Sequence, residues 1–302
     1  MTHLIETRLH AATIRASRLR STDPAIPRYK NILLLLIWFV LASILLYHHE
    51  PWRDEAQSWL LVTHLDLAGL LRHMPFEGTP ALWHLILFPF AKMGLPYSAQ
   101  SVIHLLMAFA VVSLFVLKSP FSFLTKLLFV LSYFFLFEYA VVARSYALTV
   151  LFLFLIAAND EKRLINVRRH LLFIALLAHT NIHGMILAVI FFTSYAWDVY
   201  AARISGLRNT LYFLTTLIFF LLAVLQILPG PDQIAPPLSQ TLDLPAPFVA
   251  IRNAFFPGLG LMQKTVCTAL GVLSLAFLLW PLWQNRRVFA VIVISIMALL
   301  AF

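Results

Sequence analysis

Cysteine is nearly absent from the 302 residues: Cys267 is the only one, and a lone thiol closes no intrachain disulfide. A secreted, disulfide-stapled scaffold is therefore excluded. Charge is scarce as well. Asp, Glu, Lys and Arg make up 12% of the chain, against about 25% in ordinary soluble domains. Repeats of 20–50 residues, low-complexity tracts and alternating apolar strands are missing too, which argues against solenoids, disordered tails and a membrane β-barrel. What is abundant is apolar surface: 61% of the residues, with a mean hydropathy of +0.87. A soluble domain of this length leaves roughly a quarter of its chain's surface wet. It has no means of hiding so many apolar side chains, so the sequence describes an integral, multi-pass membrane protein.

The 22 basic residues exceed the 13 acidic ones, for a formal charge of +9. Their distribution speaks for membrane orientation and not for nucleic acid. Residues 1–30 form a basic segment containing Arg8, Arg15, Arg18, Arg20, Arg28 and Lys30, immediately before the apolar run 31–47. Such a bias marks the cytoplasmic side. The run starts too late and lacks the small-residue site of a cleaved signal peptide, so it reads as a retained first span. Residues 31–302 then form one transmembrane domain.

A spanning helix needs about 20 mostly apolar residues. Candidates lie at 31–47, 79–95, 98–117, 124–141, 143–158, 168–181, 184–200, 209–228, 264–283 and 287–302. The expected fold is an all-α polytopic membrane helical bundle of about nine to eleven crossings or half-crossings. Basic residues at 162–169, 203–208 and 286–287 place those loops inside, and they place 178–184 and the Pro-rich loop 229–262 outside. Upstream of residue 159 the parity fails, because five spans are counted where an even number is needed. One of 79–95, 124–141 or 143–158 is expected to be re-entrant or misdrawn. The run at the C-terminus has no polar exit, so an incomplete C-terminus is also expected.

The outer loop 48–78 holds five of the thirteen carboxylates: Glu50, Asp54, Glu55, Asp66 and Glu77. Within 52–73 the apolar residues recur at near-helical spacing, which predicts short helices lying on the membrane surface. The segment Trp52-Arg53-Asp54-Glu55-Ala56-Gln57-Ser58-Trp59 puts two acids between tryptophans, an arrangement suited to a general base and a charged partner. It reads equally as an interfacial helix start with acids on the positive end of the dipole. Glu77 precedes Gly78-Thr79-Pro80-Ala81-Leu82-Trp83-His84, a turn leading into the second apolar run. That stretch also reads as an ordinary helix N-terminus with an early proline.

Glu138 and Arg144 lie among apolar residues, where charge is costly and marks a site by default. Arg144 has the planar fork that binds phosphate. The plainer reading pairs Glu138 with Arg144 across a helix break. His179 and His183 are four apart, as metal-binding helices require, but Thr180 stands where a metalloprotease helix has glutamate. Asn181 and Gly184 predict a break there, with the histidines as hydrogen-bond donors. His48, His49, His64, His73 and His84 show no ligand spacing.

Taken in order, Asp54-Glu55 after the first span, Glu77-Gly78-Thr79-Pro80 before the second and Arg144-Ser145-Tyr146 before a later one resemble the GT-C superfamily of membrane glycosyltransferases. That group includes the family 39-like protein O-mannosyltransferases and the lipid A aminoarabinose transferases. The resemblance covers about residues 30–200. It implies inverting transfer of a sugar from a polyprenyl-phosphate donor to a glycan, lipid or protein acceptor on the outer face of a bacterial plasma membrane. By the same resemblance Asp54 is the base, Glu55 its acidic neighbour and Glu77 a further acid. Arg53, Arg144, Tyr146, His84, His179 and His183 are expected around the donor phosphate and substrate, with no nucleic-acid partner. No metal site and no cofactor are expected. A divalent ion, if one is used, would need the oxygens of Asp54, Glu55 and Glu77. Relatives often carry an Asp after the arginine, where this chain has Ser145-Tyr146-Ala147-Leu148. A secondary transporter, a lipid flippase and a non-catalytic membrane subunit therefore remain as rivals, although no internal repeat of the transporter type is visible.

Overall fold

The computed structural model describes residues 27–229. The expectations for the N-terminal basic segment up to residue 26, for the Pro-rich loop beyond residue 229 and for spans 264–283 and 287–302 lie outside those residues. The described residues are all-helical, with no strand among them. They comprise α1 (Arg28–Tyr47), α2 (Arg53–His64), α3 (Leu67–Glu77), α4 (Leu82–Lys92), α5 (Ser98–Lys118), α6 (Phe123–Val130), a π-turn (Phe134–Glu138), α7 (Tyr146–Asn159), a 3-10 turn (Asp160–Lys162), α8 (Val167–Ala178), α9 (Ile182–Ala201) and α10 (Leu207–Ile227).

Four of these, α1, α5, α9 and α10, are long and apolar enough to cross a membrane. Their surfaces agree. Helix α1 leaves Ile32, Leu33, Leu36, Ile37, Val40 and Ile44 exposed, and α10 leaves Leu211, Leu214, Leu217, Ile218, Leu221 and Leu225 exposed. Rows of leucine and isoleucine at helical spacing belong against lipid, because helices satisfy their own backbone groups and need no water there. This is a membrane protein.

The expected spans 143–158 and 168–181 yield α7 and α8, of 14 and 12 residues, too short to count among those four, and 79–95 and 124–141 are not built as long single helices. The run 79–95 yields only α4, eleven residues long, because Pro80 precedes it and Gly94, at φ +77°, ends it. Helix α4 does not cross to the far end of the bundle. It lies alongside α2: the Lys92 ammonium donates to the Thr63 carbonyl at 2.8 Å, while Trp83 and His84 face the start of α2. The run 124–141 breaks into α6 and the π-turn. Irregular backbone at this depth is tolerated where protein covers it. Here the fully buried Trp38 of α1 donates its indole N–H to the Phe135 carbonyl at 3.1 Å. Two of the three runs named as re-entrant or misdrawn, 79–95 and 124–141, are thus not single long helices.

Three packed clusters hold the bundle. Leu34, Trp38, Val112, Phe115 and Val130 join α1 to α5 and α6, with Phe115 stacked on Phe129 at 4.2 Å. Phe152, Leu171, Ile174, Leu187, Tyr195 and Ala223 join α7, α8, α9 and α10. Trp59, Val62, Leu70, Met74, Trp83 and Leu87 bind α2, α3 and α4 into a cap on one end. Short amphipathic helices are thus present where the spacing within 52–73 predicts them, with Asp66 capping α3 by accepting the Gly69 N–H at 2.7 Å.

Candidate functional site

The cap closes over the end of the bundle where α1 and α10 finish and α5, α7 and α9 begin. A cavity of about 180 Å³ lies there, lined by Arg53, Asp54, Glu77, Trp83, His84 and Arg144 among others. At roughly 30 Å³ per water it holds about six waters. That is one sugar ring or one phosphate group, well short of a whole lipid-linked molecule.

Helix α2 begins after Pro51-Trp52, and its first turn carries both acids. The Asp54 side chain reaches the cavity mouth, where Arg144 Nη1 donates to Asp54 Oδ2 at 2.8 Å. Both groups are part-exposed, and the second oxygen, Oδ1, lies 3.9 Å from Nε of the exposed Arg53. Arg144 stands in the non-helical link before α7, with its guanidinium over the Tyr146 ring at 5.3 Å. That cation–π contact backs the arginine from outside the cavity lining. The alternative reading, a Glu138–Arg144 pair, is not what the structure shows. Glu138 accepts instead from the Tyr133 hydroxyl at 3.2 Å.

Glu55 points the other way and does not line the cavity. It is 1% exposed. Its Oε1 accepts the Ala143 N–H at 2.6 Å, and its Oε2 accepts from Trp52 N and from His49 Nε2, each at 2.8 Å. A carboxylate this well supplied with donors is part of the framework. The Tyr97 phenol at the foot of α5 is pushed up to about 12, first by burial and then by the Glu55 charge. It stays a neutral hydroxyl across the physiological range.

Glu77 closes the opposite wall from the end of α3. It accepts from Gln57 Nε2 at 2.5 Å and sits 3.5 Å from His73 Nε2. Gly78 follows in the left-handed region, φ +62°, so the chain turns sharply out of α3. The Ala81 N–H donates to Gln226 at 2.8 Å, fastening this turn to the end of α10. Trp83 and His84 are each 3% exposed, line the cavity, and leave the indole N–H and both imidazole nitrogens without a partner among the described residues. Buried polar atoms of this kind are costly unless something meets them.

His179 and His183 are not brought to the cavity. The chain breaks between them: Asn181 caps α9, its Oδ1 accepting the Gly184 N–H at 2.8 Å. His179 Nε2–H donates to the Phe219 carbonyl at 2.9 Å, and His183 faces outward. Among the described residues no group of three or more His, Cys, Asp or Glu is placed to hold a metal ion. Gln57, Trp83 and Ser145 line the cavity too, although the sequence alone assigns them no role. Each sits within a stretch singled out for its charged neighbours, and only packing distinguishes it from the residues beside it. Comparison with protein-family models, with curated proteins and with solved structures finds no match. The resemblance to GT-C transferases thus rests on the ordered motifs alone.

Proposed function

We propose that the protein is a membrane glycosyltransferase that moves one sugar from a polyprenyl-phosphate donor to an acceptor at the capped end of the bundle. The observation that carries this reading is the convergence of Asp54, Glu77 and Arg144 from three separate chain segments on a one-sugar cavity at the bundle end. A lipid-linked donor suits that place: the reacting sugar fits the cavity and the tail lies in the bilayer beside it.

Asp54 Oδ1 is the atom that takes the acceptor's hydroxyl proton. The acceptor oxygen then bonds to the anomeric carbon from the face opposite the phosphate. The carbon–oxygen bond to phosphate breaks, its electron pair stays on the polyprenyl phosphate, and the anomeric carbon is inverted. Arg144 and Arg53 offset the charge that develops on the leaving phosphate, the step where fixed cations contribute most. Glu77, Trp83 and His84 bind sugar hydroxyls. Tyr146 steadies Arg144, and Glu55 serves the framework. His179 and His183 have no part in the reaction.

Charge supports an outward-facing site. The far end carries Arg28, Lys30, Lys118, Lys162, Arg163, Arg168, Arg169, Arg203 and Arg208, against Arg53, Arg72, Lys92 and Arg144 at the capped end. The positive-inside rule puts the former in the cytoplasm. The test is incorporation of radiolabelled sugar from a panel of polyprenyl-phosphate sugars into membranes containing the protein, with Asp54→Asn alongside. Transfer by the wild type that vanishes with Asp54→Asn is expected. No transfer above an empty-vector background, with the protein folded and inserted, overturns the reading.

A further inference from the structure

Residues 143–145, which carry Arg144 into the cavity, belong to no helix. Their backbone supports itself poorly: the Arg144 N–H donates two residues back, to Val142, at 2.9 Å. Two buried side chains from elsewhere hold the segment, one on each side of the arginine. On one side Glu55 Oε1 accepts the Ala143 N–H at 2.6 Å, and the carboxylate is itself pinned by Trp52 N and His49 Nε2. On the other, Asn181 Nδ2 donates to Ser145 Oγ at 3.3 Å and to Thr149 Oγ1 at 2.8 Å. Asn181 is pinned in turn, since its Oδ1 accepts the Gly184 N–H, and Thr149 continues to Thr180 at 2.9 Å. Gly184 leaves no room for drift: a Cβ there would lie 2.7 Å from the Leu177 carbonyl oxygen and closer still to Thr180. Glu55 is 1% exposed and Asn181 3%, and neither lines the cavity.

We propose that Glu55 and Asn181 are positioning residues, which clamp Ala143-Arg144-Ser145 from α2 and from the α8–α9 junction and so set the Arg144 guanidinium against Asp54. Two observations otherwise without a role are accounted for together: the second acid of the acidic pair, and the asparagine between the two histidines. What Arg144 is for rests on the transferase reading. Where it is held does not.

The test reads Arg144 directly. Full-length protein in lipid nanodiscs is treated with phenylglyoxal, and the modification rate of Arg144 is followed by mass spectrometry in wild type, Glu55→Gln and Asn181→Asp. Asn181→Asp is close in shape and keeps the acceptor for Gly184 N–H while losing the donor to Ser145 and Thr149. Tyr195→Phe is the control; it removes a part-buried hydrogen bond to the Arg163 carbonyl at the far end. Both clamp variants are expected to raise the Arg144 rate roughly threefold to tenfold, in the lower part of the range for coupled neighbours, with the control at the wild-type rate. Equal rates in wild type and both clamp variants overturn the proposal, as does an equal rise in Tyr195→Phe. A separate arm adds undecaprenyl phosphate to the wild type. If it gives no protection while the clamp variants still accelerate modification, the transferase reading suffers and the clamp stands. Protection without acceleration supports the transferase reading and overturns the clamp.

Discussion

Replacing Asp54 and Glu55 one at a time should produce opposite defects. Asp54→Asn keeps the side chain's shape and an oxygen for Arg144. What it loses is a part-exposed ion pair, and such pairs contribute about 0.2–1 kcal/mol. Stability should therefore fall by less than about 1 kcal/mol. Transfer should fall about 10²–10⁴-fold, the usual contribution of a general base. Glu55→Ala removes the acceptor of two backbone N–H groups, Ala143 and Trp52, and of the His49 ring. Each buried donor left without a partner costs about 1–3 kcal/mol, so a total near 3–5 kcal/mol is expected, the range for breaking a buried charged contact. Thermal unfolding of the detergent-solubilised variants, followed by tryptophan fluorescence at one fixed heating rate, ranks the stabilities. Radiolabel transfer at a temperature where both variants are folded ranks the activities. The reasoning fails if Asp54→Asn unfolds as early as Glu55→Ala, or if Glu55→Ala is as stable as the wild type.

Glu77→Gln should keep the fold, because its neighbour Gln57 can still hydrogen-bond to an amide, and depress transfer at least tenfold with the same donor panel, because a charged hydrogen bond to the sugar, about 1.5–3 kcal/mol, is weakened. Gly184→Ala should destabilise by about 1–3 kcal/mol, since the added methyl meets the Leu177 carbonyl and Thr180 in a well-packed junction; a shift in unfolding temperature reads it. Trp38→Phe should cost on the order of 1 kcal/mol or more by leaving the Phe135 carbonyl without its donor beneath the π-turn. Faster amide exchange in the following segment would report it.

Most of the helices are legible in the sequence because their signal is continuous. Runs such as 98–117 and 209–228 are apolar around the whole circumference, and composition alone delimits them; α5 and α10 follow those bounds closely. The stretches 79–95 and 124–141 have the same composition, yet they make an eleven-residue helix and a helix broken by a π-turn. Apolarity says that a segment is buried or faces lipid, not that it is straight. What decides the matter for α4 is a tertiary fact, the face that α2 offers it. The acidic residues at 54, 55 and 77 can be picked out because charge is rare in this chain. Asn181 and Ser145 cannot, since small polar residues are unremarkable until three elements close on them.

Adjacent acids at the head of a helix read naturally as one site, and helix geometry forbids that. At 3.6 residues per turn, successive side chains point about 100° apart. If Asp54 faces the cavity from the first turn of α2, Glu55 has to face the bundle. The link before α7 has a matching two-sidedness. Arg144 sends its side chain to the cavity while its neighbour Ala143 offers a backbone N–H to the interior, so the pair 54–55 meets the pair 143–144 twice, once through a guanidinium and once through an amide. The two contacts differ in what they permit. The amide contact is buried and short and fixes the distance between α2 and the start of α7. The guanidinium contact is part-exposed, and on the transferase reading proposed above its arginine is the group that turns from Asp54 towards the donor phosphate. A doublet of acids thus supplies one group free to exchange partners and one that keeps it in place, which a single carboxylate at this position could not do.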